Sequence, residues 1–182
     1  FGYKRGGDIH TIKNSIKNKN IKLNIVPLLK DQEGRISSSR VRNLLLQSDL
    51  VKAKDLLKRP YSFSGKVVKG KGIGKKIGFP TANLQIDGRK FLPGEGVYAA
   101  WTKEINSGIK FPSVMNLGPQ PTINPLSPSA VEVHIIDKNI NLYDLELFVE
   151  PIQMIRTQIK FSNMEELSNQ ISKDKELAKT IL

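Results

Sequence analysis

Four runs in the chain alternate strictly between two kinds of position. Tyr61, Phe63, Gly65 and Val67 alternate with Ser62, Ser64, Lys66 and Val68, and Val97, Ala99 and Trp101 with Tyr98, Ala100 and Thr102. Val131, Val133 and Ile135 alternate with Glu132, His134 and Ile136, and Leu145, Leu147 and Val149 with Glu146, Phe148 and Glu150. Period-two runs separated by Gly, Pro and Asn clusters predict an antiparallel sandwich or barrel. The end of the chain switches to a helical period: Met164, Leu167, Ile171 and Ala178 form an apolar stripe, and Ser162-Asn163-Met164-Glu165 fits a capping box. Before Arg59 the pattern differs again. Val41, Leu44 and Leu45 follow the cap candidates Ser37, Ser38 and Ser39 at helical spacing, and Asp49 is placed to cap a second short helix carrying Val51, Ala53, Leu56 and Leu57. Ile21 to Leu29, rich in β-branched and aliphatic residues, predicts a strand ending near Pro27. Residues 1–58 therefore read as the end of an α/β or helical unit, and residues 59–182 as a β domain closed by a helix.

Composition narrows the chemistry. The 182 residues are 38% hydrophobic, enough for a core, and contain no cysteine, which excludes disulfides, zinc-thiolate sites and cysteine nucleophiles. Two histidines, His10 and His134, are too few for a histidine metal cluster. No apolar run has the length of a membrane span. The chain opens Phe1-Gly2-Tyr3 without methionine and is expected to be a piece of a longer, soluble, cytoplasmic protein. Its net charge of +12 is unevenly spread: residues 59–90 hold eight basic side chains and one acidic, whereas residues 91–182 come out at −3. That clustering favours a local phosphate site over a general polyanion surface.

The basic cluster surrounds the most informative stretch. Lys69-Gly70-Lys71-Gly72-Ile73-Gly74-Lys75 leads into Lys76-Ile77-Gly78-Phe79-Pro80-Thr81-Ala82-Asn83. Glycines let backbone approach a ligand closely and lysines favour an anion. Thr81 and Asn83 then present two small oxygen-bearing side chains behind the dihedral fixed by Pro80, an arrangement suited to a nucleotide phosphate with its metal. The plain alternative is a flexible hairpin. A Walker-type loop is excluded, because Gly72 occupies the Ser/Thr position and the run lies within a strand pattern. Glu132 shares its strand face with His134, opposite Val131, Val133 and Ile135; that face is either solvated or, beside a cleft, places Glu132 to accept a proton from a substrate hydroxyl. The loops Asn116–Thr122 and Pro125–Pro128 either line a site or simply connect strands. Arg156, after an apolar strand, either holds a ligand or faces solvent.

The ordered set of motifs resembles the C-terminal part of the prokaryotic bifunctional riboflavin kinase/FMN adenylyltransferases. It comprises Ile36-Ser37-Ser38-Ser39-Arg40-Val41-Arg42, Arg59-Pro60-Tyr61, Gly78-Phe79-Pro80-Thr81-Ala82-Asn83 and Pro93-Gly94-Glu95-Gly96-Val97-Tyr98. Asn116-Leu117-Gly118 with Pro121-Thr122, Val131-Glu132-Val133-His134, Leu142-Tyr143, and Arg156 with Phe161 complete it, covering nearly the whole chain.

The resemblance implies a mainly β fold: a six-stranded antiparallel riboflavin-kinase-like barrel with a C-terminal helix over residues 59–182. Before it, over residues 1–58, would lie the partial α/β remnant of an adenylyltransferase domain. It implies transfer of the ATP γ-phosphoryl group to riboflavin, giving FMN and ADP. Phosphates would be held by Gly70, Lys71, Gly72, Gly74, Lys75, Gly78 and Pro80. Thr81 and Asn83 would hold Mg-ATP, with Mg2+ or another divalent cation, and Glu132 would be the general base. Asn116 and Arg156 would contact the flavin. Ser37, Ser38, Ser39 and Arg42 match a nucleotide-contacting segment of the adenylyltransferase domain, whose His-x-Gly-His signature is absent, so FAD synthesis is expected only of a full-length parent. Three positions depart from the family pattern: Ser39 stands where Thr is commoner, and Lys58 and Asp144 stand where Gly is usual. A basic OB-like barrel binding nucleic acid is the alternative. It would need aromatics interleaved with basic residues along one face, and aromatics make up only 7%. Neither nucleic acid nor a membrane is an expected partner.

Overall fold

The structure, a computed structural model, describes residues 2–70, 72–118 and 131–182, apart from the side chains of Arg5 and Ile73. Two compact units result, Phe1–Ile36 and Ser37–Leu182. In the first, helix α1 (Ile9–Ile16) is capped by Asp8, whose carboxylate accepts from the Thr11 amide at 2.8 Å. A two-residue hairpin joins β1 (Lys30–Asp31) to β2 (Gly34–Arg35). The strand expected over Ile21–Leu29 is not formed. Val26 and Leu29 are 78% and 70% exposed, and no strand among the described residues pairs with the segment, so β-branched composition alone does not make it a strand.

The second unit contains a closed barrel of six antiparallel strands: β3 (Phe63–Val68), β4 (Ala82–Ile86), β5 (Gly96–Glu104), β6 (Lys110–Leu117), β7 (Val131–Ile135) and β8 (Glu146–Arg156). Their order around the wall is β3-β4-β7-β6-β5-β8. The interior is filled by the inward members of each alternation, among them Phe63, Val67, Leu84, Tyr98, Met115, Val131, Val133, Leu147 and Val149. The long C-terminal helix α5 (Met164–Ile181) lays Ala178 and Ile181 on the outer face of the wall against Val97, Ala99, Val114 and Ile155. The first half of β5, through Ala100, is therefore apolar and buried on both sides, whereas Trp101 is half-buried and Lys103 exposed. The cap of α5 is Asn163 rather than Ser162: its side chain accepts from the Glu166 amide at 2.8 Å, and Glu166 accepts from the Ser162 amide at 3.0 Å.

Helices α2 (Ser38–Leu46) and α3 (Leu50–Leu57) lie in the barrel's unit. Ser37 and Asp49 cap them as their residue types predict, accepting from Arg40 and Lys52 amides at 3.3 and 3.0 Å. Leu45, Leu50 and Ala53 join the core. Two polar ties hold the join: the Gly94 amide donates to the Leu45 carbonyl at 2.9 Å, and the buried Tyr98 hydroxyl pairs with Ser48 at 2.7 Å and donates to the Gly94 carbonyl.

The two glycine departures are now explained geometrically. Lys58 ends α3 with φ 56° and Asp144 turns into β8 with φ 66°, both left-handed. Relieving such a residue gains roughly 1–2 kcal/mol, of which the freedom of unfolded glycine returns roughly 0.4–1. Lys58→Gly is accordingly expected to raise the unfolding free energy by about 0.5–1 kcal/mol. Urea titration followed by the emission of the single tryptophan, Trp101, measures this. Asp144 is a poorer choice, because its carboxylate also pairs with Lys66 at 2.6 Å.

Candidate active site

Strand register brings distant residues into one row. Asn83 on β4 lies directly across from Glu132 on β7, and Glu132 lies across from Asn116 on β6. The row continues through Val97 on β5 to Arg156 on β8. Cross-strand partners share a face. Because Leu84, Val131, Val133, Met115 and Leu117 point into the core, the row lies on the outer wall of the barrel. Thr81, just before β4, directs its hydroxyl at the Glu132 carboxylate, Oγ1 to Oε2, at 3.4 Å. That separation is long for an O–H···O bond.

The glycine segment lies over this end of the row. A methyl group at Gly70 would overlap the side-chain amide of Asn83, and one at Gly74 would meet the Phe79 carbonyl and the Thr81 hydroxyl. Only glycine allows so close an approach. A single helical turn, α4 (Ile73–Lys76), follows Gly72 (φ 69°); Phe79 donates its amide to the Gly74 carbonyl at 2.8 Å, and Gly78 (φ 86°) makes the reversal. Lys71, Pro121 and Thr122, together with the segment Pro125–Pro128, lie outside the described residues.

Beside the row opens a cavity of about 1150 Å3. One side is formed by Lys69, Gly70, Lys75 and the Gly78–Ala82 stretch, the other by Asp137–Tyr143 and Lys175. Thr81 lines it whereas Asn83 and Glu132 do not, so the Thr81 hydroxyl stands where the cavity meets the row. Among the described residues neither Lys69 nor Lys75 is in an ion pair. At the far side Lys179 and Lys175 reach Asp137 at 2.7 and 3.3 Å, Lys179 chiefly holds the Asp137 carboxyl below the usual carboxylate range, and Lys138 lies over the Phe111 ring. Lys69 and Lys75 at the glycine end, with Lys138 across the cavity, make its lining suited to an anion.

Other residues singled out from sequence have structural partners. Arg156 is bound by Asp174 of α5, with Nε donating to both carboxylate oxygens at 3.0 Å and Nη2 to Oδ2 at 2.8 Å; its guanidinium also lies over the Phe161 ring. Asn116 accepts from Gln158 Nε2 at 2.8 Å. Ser37 caps α2, Ser38 and Ser39 are exposed in its first turn, and Arg42 sits over the Phe91 ring; none of them lines the cavity. Sequence reasoning included Lys69 in the basic glycine loop but passed over Asp137, Lys138 and Lys175 as lining residues. It singled out His134 only as the neighbour of Glu132 on one strand face; in the fold His134 lines the cavity two positions beyond Glu132, a spacing visible in the strand pattern.

Known proteins resemble the chain in sequence and fold. A family model described as riboflavin kinase (Flavokinase) matches residues 57–182. The bifunctional riboflavin kinase/FMN adenylyltransferase of Haemophilus influenzae is 43% identical over 145 residues, covering 80% of this chain and 46% of that protein. Its counterpart from Buchnera aphidicola subsp. Schizaphis graminum is 37% identical over 182 residues, covering 98% of this chain and 57% of that protein. A solved structure from Streptococcus pneumoniae, described as a macrolide-efflux protein, superposes with a TM-score of 0.78 at 30% identity, over 93% of this chain and 54% of that one. The chain thus spans about half the length of the curated relatives it matches. Through residues 57–182, the chain belongs to the riboflavin kinase family.

Proposed function

We propose that the chain is a riboflavin kinase that transfers the γ-phosphoryl group of ATP to the 5′-hydroxyl of the riboflavin ribityl chain. The observation that carries this reading is the shared outer-wall row: the Thr81–Asn83 pair meets Glu132 beneath the glycine segment, at the mouth of a cavity with unpaired lysines. In the transfer, a bond forms between the ribityl oxygen and the γ-phosphorus, and the bond from that phosphorus to the β,γ-bridging oxygen breaks. ADP leaves, and the hydroxyl proton passes to the Glu132 carboxylate. Phosphoryl transfer asks for positioning and charge neutralisation more than covalent help. Backbone of the Gly70–Gly74 segment with Lys69, Lys71 and Lys75 would hold the phosphates, and Gly78 and Pro80 would shape their entry.

Among the described residues no group of three His, Cys, Asp or Glu side chains is placed to hold a metal by itself. The neutral oxygens of Thr81 and Asn83 instead suit a magnesium ion that keeps waters and takes its other ligands from phosphate. Such an ion would neutralise charge on the phosphate oxygens. The flavin would lie along the other end of the row, near Asn116 and Arg156. Residues 59–182 would be the kinase module and residues 1–58 the end of an adenylyltransferase domain, whose Ser37–Ser39 and Arg42 would serve FMN adenylylation only in the full-length parent.

Incubation with riboflavin and Mg-ATP, with FMN and FAD separated afterwards, tests the reading: FMN without FAD is expected, and no FMN overturns it. Gly70→Ala examines the nucleotide side alone. Displacing the Asn83 amide is expected to weaken Mg-ATP binding on the order of tenfold, the equivalent of about 1.4 kcal/mol. Calorimetry reads this directly, and unchanged affinity would detach the glycine segment from the nucleotide.

A further inference from the structure

His134 is buried on strand β7, two residues past Glu132. Its Nδ1 lies 2.9 Å from the Pro80 carbonyl oxygen, and the Phe79 ring meets it edge-on with centroids 5.6 Å apart. A carbonyl oxygen only accepts, so Nδ1 carries the hydrogen and donates it. The position of this bond is telling. Antiparallel pairing of β4 with β7 runs from Leu84–Val131 to Ala82–Val133 and stops there, one step short of Thr81. The chain before it contains Pro80, which has no N–H to extend the ladder. Where backbone pairing ends, the imidazole takes over and ties the segment to the strand that bears Glu132.

We propose that His134 is a positioning residue for phosphoryl transfer: by donating Nδ1–H to the Pro80 carbonyl, it holds Thr81 against β7 and sets the separation of the Thr81 hydroxyl from the Glu132 carboxylate. The proposal rests on the riboflavin kinase reading above. One strand then carries both the proton acceptor and the tie that aligns the nucleotide-side hydroxyl with it. Misplacing reacting groups by about 1 Å costs on the order of 10²-fold in rate.

The test compares His134→Asn, His134→Gln and His134→Ala. An asparagine amide nitrogen sits at the same branch position as Nδ1 and can donate to Pro80; a glutamine amide lies one carbon farther out and cannot. Asparagine is expected to keep kcat within about threefold, whereas glutamine and alanine lower it about 10- to 100-fold with the riboflavin KM nearly unchanged. In a Thr81→Ala background the His134→Ala loss should shrink, because the two residues act as one unit. Equal kcat in all three variants, or full additivity with Thr81→Ala, overturns the role of His134 while leaving the kinase reading intact. Absence of FMN from the unaltered protein overturns the kinase reading itself. Should the variants fold poorly, 15N NMR of the unaltered protein decides: a protonated Nδ1 is required, and a bare Nδ1 sinks the proposal.

Discussion

Glu132→Gln is expected to lower turnover by roughly 10²–10⁴-fold while leaving Mg-ATP affinity within a factor of about two. Glutamine matches the shape of glutamate and keeps an oxygen able to accept the Thr81 hydroxyl, so the 3.4 Å contact survives in kind. What disappears is the capacity to take a proton. In the proposed transfer Glu132 faces the acceptor hydroxyl and holds neither the phosphates nor their ion, which is why nucleotide affinity should not follow turnover. Steady-state kinetics with calorimetric titration of Mg-ATP separates the two quantities. Turnover equal to that of the unaltered protein would remove Glu132 from the reaction, and a parallel collapse of affinity would make it a nucleotide ligand instead.

The second large effect concerns stability. Asp174 is 2% exposed and accepts three donations from Arg156 and one from Gln170. Asp174→Ala strips the guanidinium of its counter-charge in a place where its side chain is only 16% exposed. Breaking one partner of a buried pair costs about 3–5 kcal/mol, largely because the other charge stays buried. Urea unfolding followed by Trp101 should show a loss of that size; a loss below about 1 kcal/mol would mean that the pair behaves as a surface bridge. Replacing both members, as in Arg156→Met with Asp174→Leu, is expected to recover most of the loss, since apolar pairs of similar volume are often neutral or better. The same geometry bears on the proposed flavin contact. Arg156→Ala would orphan Asp174 and loosen α5, so a drop in riboflavin binding in that variant mixes two causes; only the double replacement, compared with its own stability, isolates the flavin term.

Legibility from sequence followed the physics of each element. Strands β3, β7 and β8 have one buried and one polar face, so alternation revealed them. Strand β6 did not alternate: Met115 points into the barrel, Val114 lies under α5, the Ser113 hydroxyl pairs with Thr102 at 2.7 Å, and Pro112 reads as a breaker. The count of six strands and their closure came from the family resemblance, not from periodicity. Ile21–Leu29 misled because β-branched composition carries no information about a pairing partner. For the proposed site, Thr81, Asn83 and Glu132 could be singled out because they belong to compact local motifs, and register brings those motifs together. Arg156's engagement with Asp174 was not legible, because the two lie 18 residues apart and meet only once α5 folds back on β8. Lys175 is brought to the cavity by the same return, and no spacing in the chain announces it.

The plugged interior has a consequence for how ligands come and go. With Phe63, Leu84, Tyr98 and Met115 occupying the lumen, no passage runs through the staves, and on the proposed reading substrates would be gripped from the flank of the cylinder. On the proposed reading, traffic would then be governed by the segments laid across the outside, above all the glycine segment. The staves can evolve for durability and those outer segments for speed, each with little penalty to the other.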